Sequence, residues 1–95
     1  MEKFKEGWKQ FLDLTQGMKD EKMLSTLYDL LLTPEEKESI AMRCLIIREL
    51  LAERRTQREM AKELNVSIAK ITRGSNEIKR MKGAFVEYLR GKIKY

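Results

Sequence analysis

The sequence predicts an all-α domain built from six helices. Apolar residues recur at helical spacing, about three or four positions apart, along almost the whole chain. Two four-residue segments have the pattern of a helix start, and the chain of 95 residues contains a single proline. No segment has the residue pattern of a β-strand. We therefore expect residues 1–95 to form one small helical domain.

The first two helices are predicted from their apolar faces. The first is an amphipathic helix that ends near Gly17, with a face formed by Phe4, Trp8, Phe11, Leu12, Thr15 and Met18. The second is short and has a face formed by Met23, Leu24, Leu27, Leu30 and Leu31.

The third helix is predicted to begin at Thr33-Pro34-Glu35-Glu36 and to run to about Glu53. Thr33 suits the N-cap, Pro34 the first helical position, and Glu36 the position that closes a capping box. The apolar stripe of this helix is wide and includes Ile40, Ala41, Cys44, Leu45, Ile46, Ile47, Leu50 and Leu51. Such a stripe fits a helix at the core of a dimer, and it also fits the central helix of a small bundle. Cys44 is interpreted as a small core residue of this stripe.

The next two helices form a predicted helix-turn-helix over about residues 57–80. Thr56-Gln57-Arg58-Glu59 is a second capping box, and Asn65 tolerates the left-handed conformation of a tight turn. Ser67 is expected to cap the second helix. The residues expected to face inward are Met60, Ala61, Leu64, Val66, Ile68, Ile71, Ser75 and Ile78. Gly83 is expected to interrupt the pattern before a last amphipathic helix with Phe85, Val86, Leu89 and Ile93.

Charge is unevenly distributed along the chain. Residues 1–42 contain 6 Lys/Arg against 9 Asp/Glu, whereas residues 43–95 contain 14 against 6, so the net charges of −3 and +8 sum to +5. The excess of basic residues indicates either a polyanionic partner for one side or simply a solvated surface. Together with the helix-turn-helix, it favours double-stranded DNA as the partner.

The candidate DNA-binding residues lie on the outer face of the helix-turn-helix. Those that start the second helix are expected to reach base edges, together with one residue of the first helix: Ser67, Ile68, Ala69, Lys70, Thr72 and Arg58. Gln57, Arg73, Asn76 and Lys79 are expected to contact DNA as well. The basic pair Arg54-Arg55, just before the motif, is expected to strengthen phosphate contact.

Composition argues against several other classes of protein. The chain has no histidine, and no nucleophile stands beside a base, so we expect it not to be an enzyme and predict no metal site. No apolar run approaches the roughly 20 residues of a membrane span, and the start has no apolar signal segment. A single cysteine fits a reducing compartment, so a cytoplasmic location is expected.

Four segments resemble the bacterial tryptophan repressor family in order and spacing: LLLTPEE, MRCLIIRELL, TQREMAKEL and IAKITRGSN. The resemblance covers about residues 6–93, and ITRGSN after a helix-turn-helix is its most specific part. It implies an all-α, six-helix intertwined homodimer that represses tryptophan-related genes. The two helix-turn-helix motifs would lie about one turn of DNA apart, as is known for this family.

The resemblance also implies L-tryptophan as the effector, with no other cofactor. By this likeness, the indole would lie between Arg43 and Arg73, close to Gly74, and carbonyls of Leu30, Leu32 and Thr33 in the other subunit would receive the ammonium group. Glu77 stands where the family usually has a serine that helps to hold this group. Its carboxylate could bind the ammonium group, repel the ligand's carboxylate, or point to solvent. The alternative function is therefore a constitutive helix-turn-helix DNA-binding protein with a lost or altered effector pocket.

Overall fold

The computed structural model describes every residue from Met1 to Tyr95 and contains six helices and no strand. They are α1 (Glu2–Gly17), α2 (Glu21–Leu31), α3 (Pro34–Ala52), α4 (Gln57–Leu64), α5 (Ile68–Arg80) and α6 (Gly83–Lys92). The predicted all-α class is therefore confirmed. The chain divides into two compact units, Met1–Lys37 and Glu38–Tyr95.

The first unit contains α1, α2 and the start of α3. The Asp20 side chain caps α2 by accepting a hydrogen bond from the Lys22 N–H at 3.0 Å. Leu27 is the only buried apolar residue of this unit, and α1 has no buried residue at all. Much of the apolar face predicted for α1 and α2 therefore faces solvent in the single chain.

The start of α3 has the reciprocal cap that the sequence predicts. The Glu36 N–H donates to Thr33 Oγ1 at 3.1 Å, and Glu36 Oε1 accepts from the Thr33 N–H at 2.8 Å. This box satisfies two N–H groups that a helix start would otherwise leave without partners. The helix ends at Ala52, and Glu53 then adopts a left-handed conformation with φ 54°.

The second unit has a compact core where α3, α4 and α5 meet. Ile46, Met60, Ala61 and Ile71 form its buried centre, and four partly buried residues pack around them: Met42, Leu50, Leu64 and Val66. Ile71 is fully buried, with 0% of its surface exposed. The core therefore fixes the helix-turn-helix on α3.

Three expectations about individual residues are wrong. Ile68 is 48% exposed, because it is the first residue of α5 and lies outside the core cluster. Cys44 is exposed rather than buried, since it lies two residues from Ile46 and therefore about 200° around the helix from it. Gly83 does not interrupt the helical pattern but begins α6, and the break is at the extended Met81.

None of the six helices combines the length and the apolar character that crossing a membrane requires.

Candidate functional site

The helix-turn-helix is formed by α4, a short turn and α5. The capping box of α4 is complete, because the Glu59 N–H donates to Thr56 Oγ1 at 3.1 Å and Glu59 Oε1 accepts from the Thr56 N–H at 2.8 Å. The hydrogen bond from the Thr56 backbone N–H, and then that from the Thr56 side chain, favour the ionised carboxylate, so they lower the pKa of Glu59 below its ordinary 4.5. The start of α4 is thus firmly defined.

The turn adopts the conformation that Asn65 predicts. Asn65 is left-handed, with φ 55° and ψ 49°, and the Val66 N–H donates to the Ala61 carbonyl at 3.0 Å. Ala61 is buried where the two helices meet, so a small side chain permits their close approach. Ser67 then caps α5 by accepting a hydrogen bond from the Lys70 N–H at 3.4 Å.

The start of α5 presents a continuous outer surface. Ser67, Ile68, Ala69, Lys70 and Thr72 are all exposed, as are Arg58, Arg73, Asn76 and Lys79. Gln57 is half-buried, and its Oε1 accepts a hydrogen bond from Thr72 Oγ1 at 3.0 Å. This bond fixes the start of α4 beside α5, so the residues predicted to contact DNA lie on connected parts of one surface.

A cavity of about 380 Å³ lies between α3 and α5. This volume is within the ~300–1,000 Å³ range of small-molecule sites. The wall from α3 is formed by Ser39, Met42, Arg43, Ile46 and Ile47, and the wall from α5 by Lys70, Arg73, Gly74 and Glu77. The structure thus brings Arg43, Arg73, Gly74 and Glu77 to one cavity, as the family resemblance implies for the effector pocket.

The chemistry of the cavity wall suits a ligand that has both apolar and charged parts. Met42, Ile46 and Ile47 provide apolar surface. Three cationic side chains, Arg43, Lys70 and Arg73, and one carboxylate, Glu77, line the same cavity. A carboxylate of the ligand is favoured by the cations and an ammonium group by Glu77.

Glu77 lines this cavity, and its carboxylate has one ion-pair partner. It is half-buried at the cavity, and its Oε1 lies 3.3 Å from Arg80 Nη1. Because this ion pair is largely exposed, it holds the carboxylate only weakly.

Gly74 has a packing role in addition to its place on the wall. A Cβ at this position would lie 3.1 Å from Ile46 Cγ2 and 3.2 Å from Leu50 Cδ1. These contacts are tighter than ordinary van der Waals separation, so the missing side chain allows α5 to pack against α3. The close packing at Gly74 bounds the cavity on the side of the core.

Leu30, Leu32 and Thr33 lie in the unit Met1–Lys37, at the junction of α2 and α3. Pro34 has no N–H, so the Leu30 carbonyl lacks the usual donor four residues later. The Leu32 carbonyl also lacks the donor four residues later, because the Glu36 N–H donates to Thr33 Oγ1 instead. The Thr33 carbonyl accepts from the Lys37 N–H at 3.0 Å and keeps a second lone pair.

Similarity to known proteins agrees with this geometry. Residues 6–93 match the family model described as Trp repressor protein. The chain belongs to the Trp repressor family. A relative from Chlamydia trachomatis serovar D, named Trp operon repressor homolog, is 46% identical over 87 residues, which cover 92% of this chain and 93% of the relative.

Relatives from two other bacteria are also similar. The Trp operon repressor homolog of Vibrio vulnificus is 43% identical over 72 residues, covering 76% of this chain and 71% of the relative. The homolog from Histophilus somni is 38% identical over 90 residues, covering 95% and 85%. Similarity therefore extends over most of the chain and includes both α3 and the helix-turn-helix.

Sequence reasoning missed several residues at or near the site. Four residues of α3 line the cavity beside Arg43: Ser39, Met42, Ile46 and Ile47. Each lies one, three or four positions from Arg43, and this helical spacing could have predicted them from the sequence. Lys70 was predicted to contact only DNA, yet it also lines the cavity. The basic pair before the motif is not free, because Arg54 and Arg55 both pair with the buried Glu49.

Proposed function

We propose that this protein is a sequence-specific DNA-binding repressor of transcription that acts as a homodimer and requires L-tryptophan as its corepressor. The main support for the proposal is that α5 contributes to both the exposed basic surface and the cavity. Lys70 and Arg73 belong to the exposed basic surface of this helix, and both also line the cavity beneath it. A ligand in that cavity therefore touches the helix that reads DNA. The names of the relatives support a repressor of the trp operon.

The proposed DNA contacts follow from exposure and position. Arg58, Ser67, Ile68, Ala69, Lys70 and Thr72 reach base edges in the major groove, and Gln57, Arg73, Asn76 and Lys79 contact the sugar–phosphate backbone. Ile68 is suited to this role because it is not used by the core and offers apolar surface to a thymine methyl group.

The proposed ligand contacts follow from the cavity wall. The indole stacks between the guanidinium planes of Arg43 and Arg73, which attract its π-faces. Lys70 attracts the carboxylate, and Glu77 attracts the ammonium group. In the homodimer, the Leu30, Leu32 and Thr33 carbonyls of the second copy complete the ammonium site, and the local structure leaves these carbonyls with acceptor capacity.

A homodimer is supported by the apolar residues that the single chain exposes. Phe4, Trp8 and Leu12 on α1 and Met23 on α2 are all exposed, and so is Ile40 on α3. Exposed apolar surface of this extent is typical of an interface, and a second copy of the same chain is the partner found in this family.

The proposed mechanism is a ligand-biased population shift. L-tryptophan binds best when α5 is held at the distance from α3 that fits DNA, so it increases the population of the DNA-competent dimer. Repression follows from occupation of the operator and requires no chemical reaction.

A second candidate function is favoured by Glu77. Its carboxylate at the cavity repels the carboxylate of an amino acid if the ligand lies in the opposite orientation. A protein whose cavity rejects tryptophan would bind DNA constitutively. The two functions differ in a single observable, the dependence of DNA binding on L-tryptophan.

The deciding experiment measures that dependence. A duplex is selected from a random library with the full-length protein, once with and once without L-tryptophan. Fluorescence anisotropy then measures the affinity for each selected duplex in both conditions. We expect a palindromic duplex that is bound at least about tenfold more tightly with L-tryptophan, a difference of about 1.4 kcal/mol. Equal affinities in the two conditions favour the constitutive function.

The cavity assignment is tested by Arg73→Ala. Removal of one stacking guanidinium is expected to weaken L-tryptophan binding by about tenfold or more, and DNA binding falls with it. Lys79→Ala is the matched control on the same helix, since Lys79 is exposed and does not line the cavity. It should leave tryptophan affinity unchanged and reduce the salt slope of DNA binding by about one phosphate contact. Normal tryptophan affinity of Arg73→Ala, measured by titration calorimetry, would contradict the assignment.

A further inference from the structure

A buried carboxylate lies near the end of α3. Glu49 is 3% exposed and is the one buried charged residue of the chain. Its Oε1 accepts a hydrogen bond from Arg55 Nη1 at 2.7 Å, and its Oε2 lies 3.3 Å from Arg48 Nε and 3.6 Å from Arg54 Nη2. A buried carboxylate is strongly unfavourable unless it is paired, and these three guanidinium groups supply the pairing and hold the Glu49 side chain in place.

Two of the three partners belong to the turn between α3 and α4. Glu53, the residue that follows α3, adopts a left-handed conformation with φ 54°. Arg54 and Arg55 follow, and Thr56 is the N-cap of α4. The Arg55–Glu49 ion pair therefore connects the segment just before the helix-turn-helix to α3.

Besides the buried core of Ile46, Met60, Ala61 and Ile71, the helix-turn-helix is attached to α3 at two places of different character. At the turn, the attachment is an ion pair of good hydrogen-bond geometry to a buried group. Between α3 and α5, it is apolar packing at Gly74 beside an open cavity. If ligand binding in the cavity changes the separation of α3 and α5, as the proposed function requires, a held turn makes the helix-turn-helix move about a fixed point.

We propose that the turn between α3 and α4 is the pivot of the helix-turn-helix, and that Glu49 is the positioning residue that holds this pivot through Arg55. This inference rests on the proposed function. With the turn held in place, the width of the cavity between α3 and α5 determines the orientation of the start of α5, which faces DNA. With the pivot loosened, L-tryptophan still enters the cavity, but it no longer sets the orientation of α5.

The test uses two variants that cut the same link and one matched control. Glu49→Gln keeps the shape of the side chain and removes its charge. Arg55→Gln cuts the link from the turn and leaves Glu49 paired with Arg48 and Arg54, so this variant keeps a buried ion pair and is expected to fold. Glu53→Gln is the control, because Glu53 lies in the same turn but is exposed and 3.6 Å from Arg90.

The first measurement is amide hydrogen exchange of the full-length protein without ligand or DNA. We expect exchange in the turn and the first turn of α4 to become about tenfold faster in both variants, which corresponds to about 1.4 kcal/mol and to one charge-assisted hydrogen bond. The control should exchange like the wild type. Unchanged exchange in both variants would overturn the pivot.

The second measurement separates coupling from stability. L-tryptophan affinity should stay within about twofold of the wild type, while the ratio of DNA affinities with and without tryptophan should fall about tenfold. A lower melting temperature with unchanged exchange and an unchanged ratio shows a merely structural role and overturns the proposal. If the wild type shows no response to tryptophan, the proposed function fails, and the exchange measurement alone decides whether Glu49 holds the pivot.

Discussion

The helix-turn-helix and the two N-terminal helices bury their apolar residues to very different extents. Met60, Ala61 and Ile71, from α4 and α5, are buried together with Ile46 of α3. In α1 and α2, by contrast, only Leu27 is buried. The chain thus completes the core under its proposed DNA-binding element and leaves the apolar faces of α1 and α2 largely open.

This difference separates two properties of the protein. The helix-turn-helix is positioned by contacts within one chain, so its geometry does not require a second copy. The open faces of α1 and α2 need a partner before their apolar residues can contribute to stability. Substitutions in the two regions are therefore expected to act on different observables.

The largest effect is expected for Ile71→Ala. Ile71 is fully buried, so the substitution leaves a cavity where α4 and α5 meet on α3. The expected loss in free energy of unfolding is about 2–5 kcal/mol, measured by denaturant unfolding. Ile68→Ala on the same helix is the control, since Ile68 is half exposed and lies outside the core, and a change within about 0.5 kcal/mol is expected. Similar losses in both variants would contradict the division into core and surface faces.

The sequence predicted the helix-turn-helix well because its determinants are local. Capping boxes, the left-handed Asn65 and the cap at Ser67 each depend on residues within a few positions of one another, and all are present. The exposure of Ile68 was missed because helical periodicity assigns a face but does not show where the packing neighbour ends.

The parts that sequence reasoning missed depend on contacts between distant residues or on the end of a helix. The pairing of Glu49 with Arg55 spans a turn in which Glu53 is left-handed, and a left-handed glutamate gives no signal in the sequence. The shared role of Lys70 was also missed, since it depends on the separation of α3 and α5. The cavity residues Arg43, Arg73, Gly74 and Glu77 were placed by family resemblance rather than by pattern.

A smaller effect, on a different observable, is expected for Trp8→Ser in α1. The Trp8 ring lies between Phe4 and Phe11, with centroid distances of 6.4 and 5.1 Å, and it is largely open to solvent in the single chain. If this aromatic face forms part of the proposed dimer interface, the substitution should raise the dimer dissociation constant about tenfold or more, or about 1.4 kcal/mol. Sedimentation equilibrium measures this constant.

The control for Trp8→Ser is Gln10→Ser, which introduces the same residue at an exposed position on the opposite side of α1. It should leave the dimer unchanged. An equal dissociation constant for Trp8→Ser and the wild type would show that this face is not the interface, and the contrast between the two regions would then need another explanation.

The smallest effect is expected for Glu59→Gln. This substitution compares the helix cap of α4 with that of α2. Asp20 caps α2 with one hydrogen bond, whereas Thr56 and Glu59 cap α4 reciprocally. Hydrogen bonds from the Thr56 backbone and side chain lower the pKa of Glu59 below 4.5. A lowered pKa in the folded state means that the contribution to stability is present above about pH 4.5 and is lost as the pH falls through the folded-state value.

Thermal unfolding across pH therefore tests the reciprocal cap. Glu59→Gln should melt slightly below the wild type at pH 7, and the two curves should converge at acidic pH, where Glu59 of the wild type is protonated. Glu63→Gln, on the same helix but outside the capping box, should not reproduce this pH-dependent difference. A constant difference between Glu59→Gln and the wild type at every pH would show that the side chain acts by shape rather than by charge. The ionised carboxylate would then add nothing to the cap of α4.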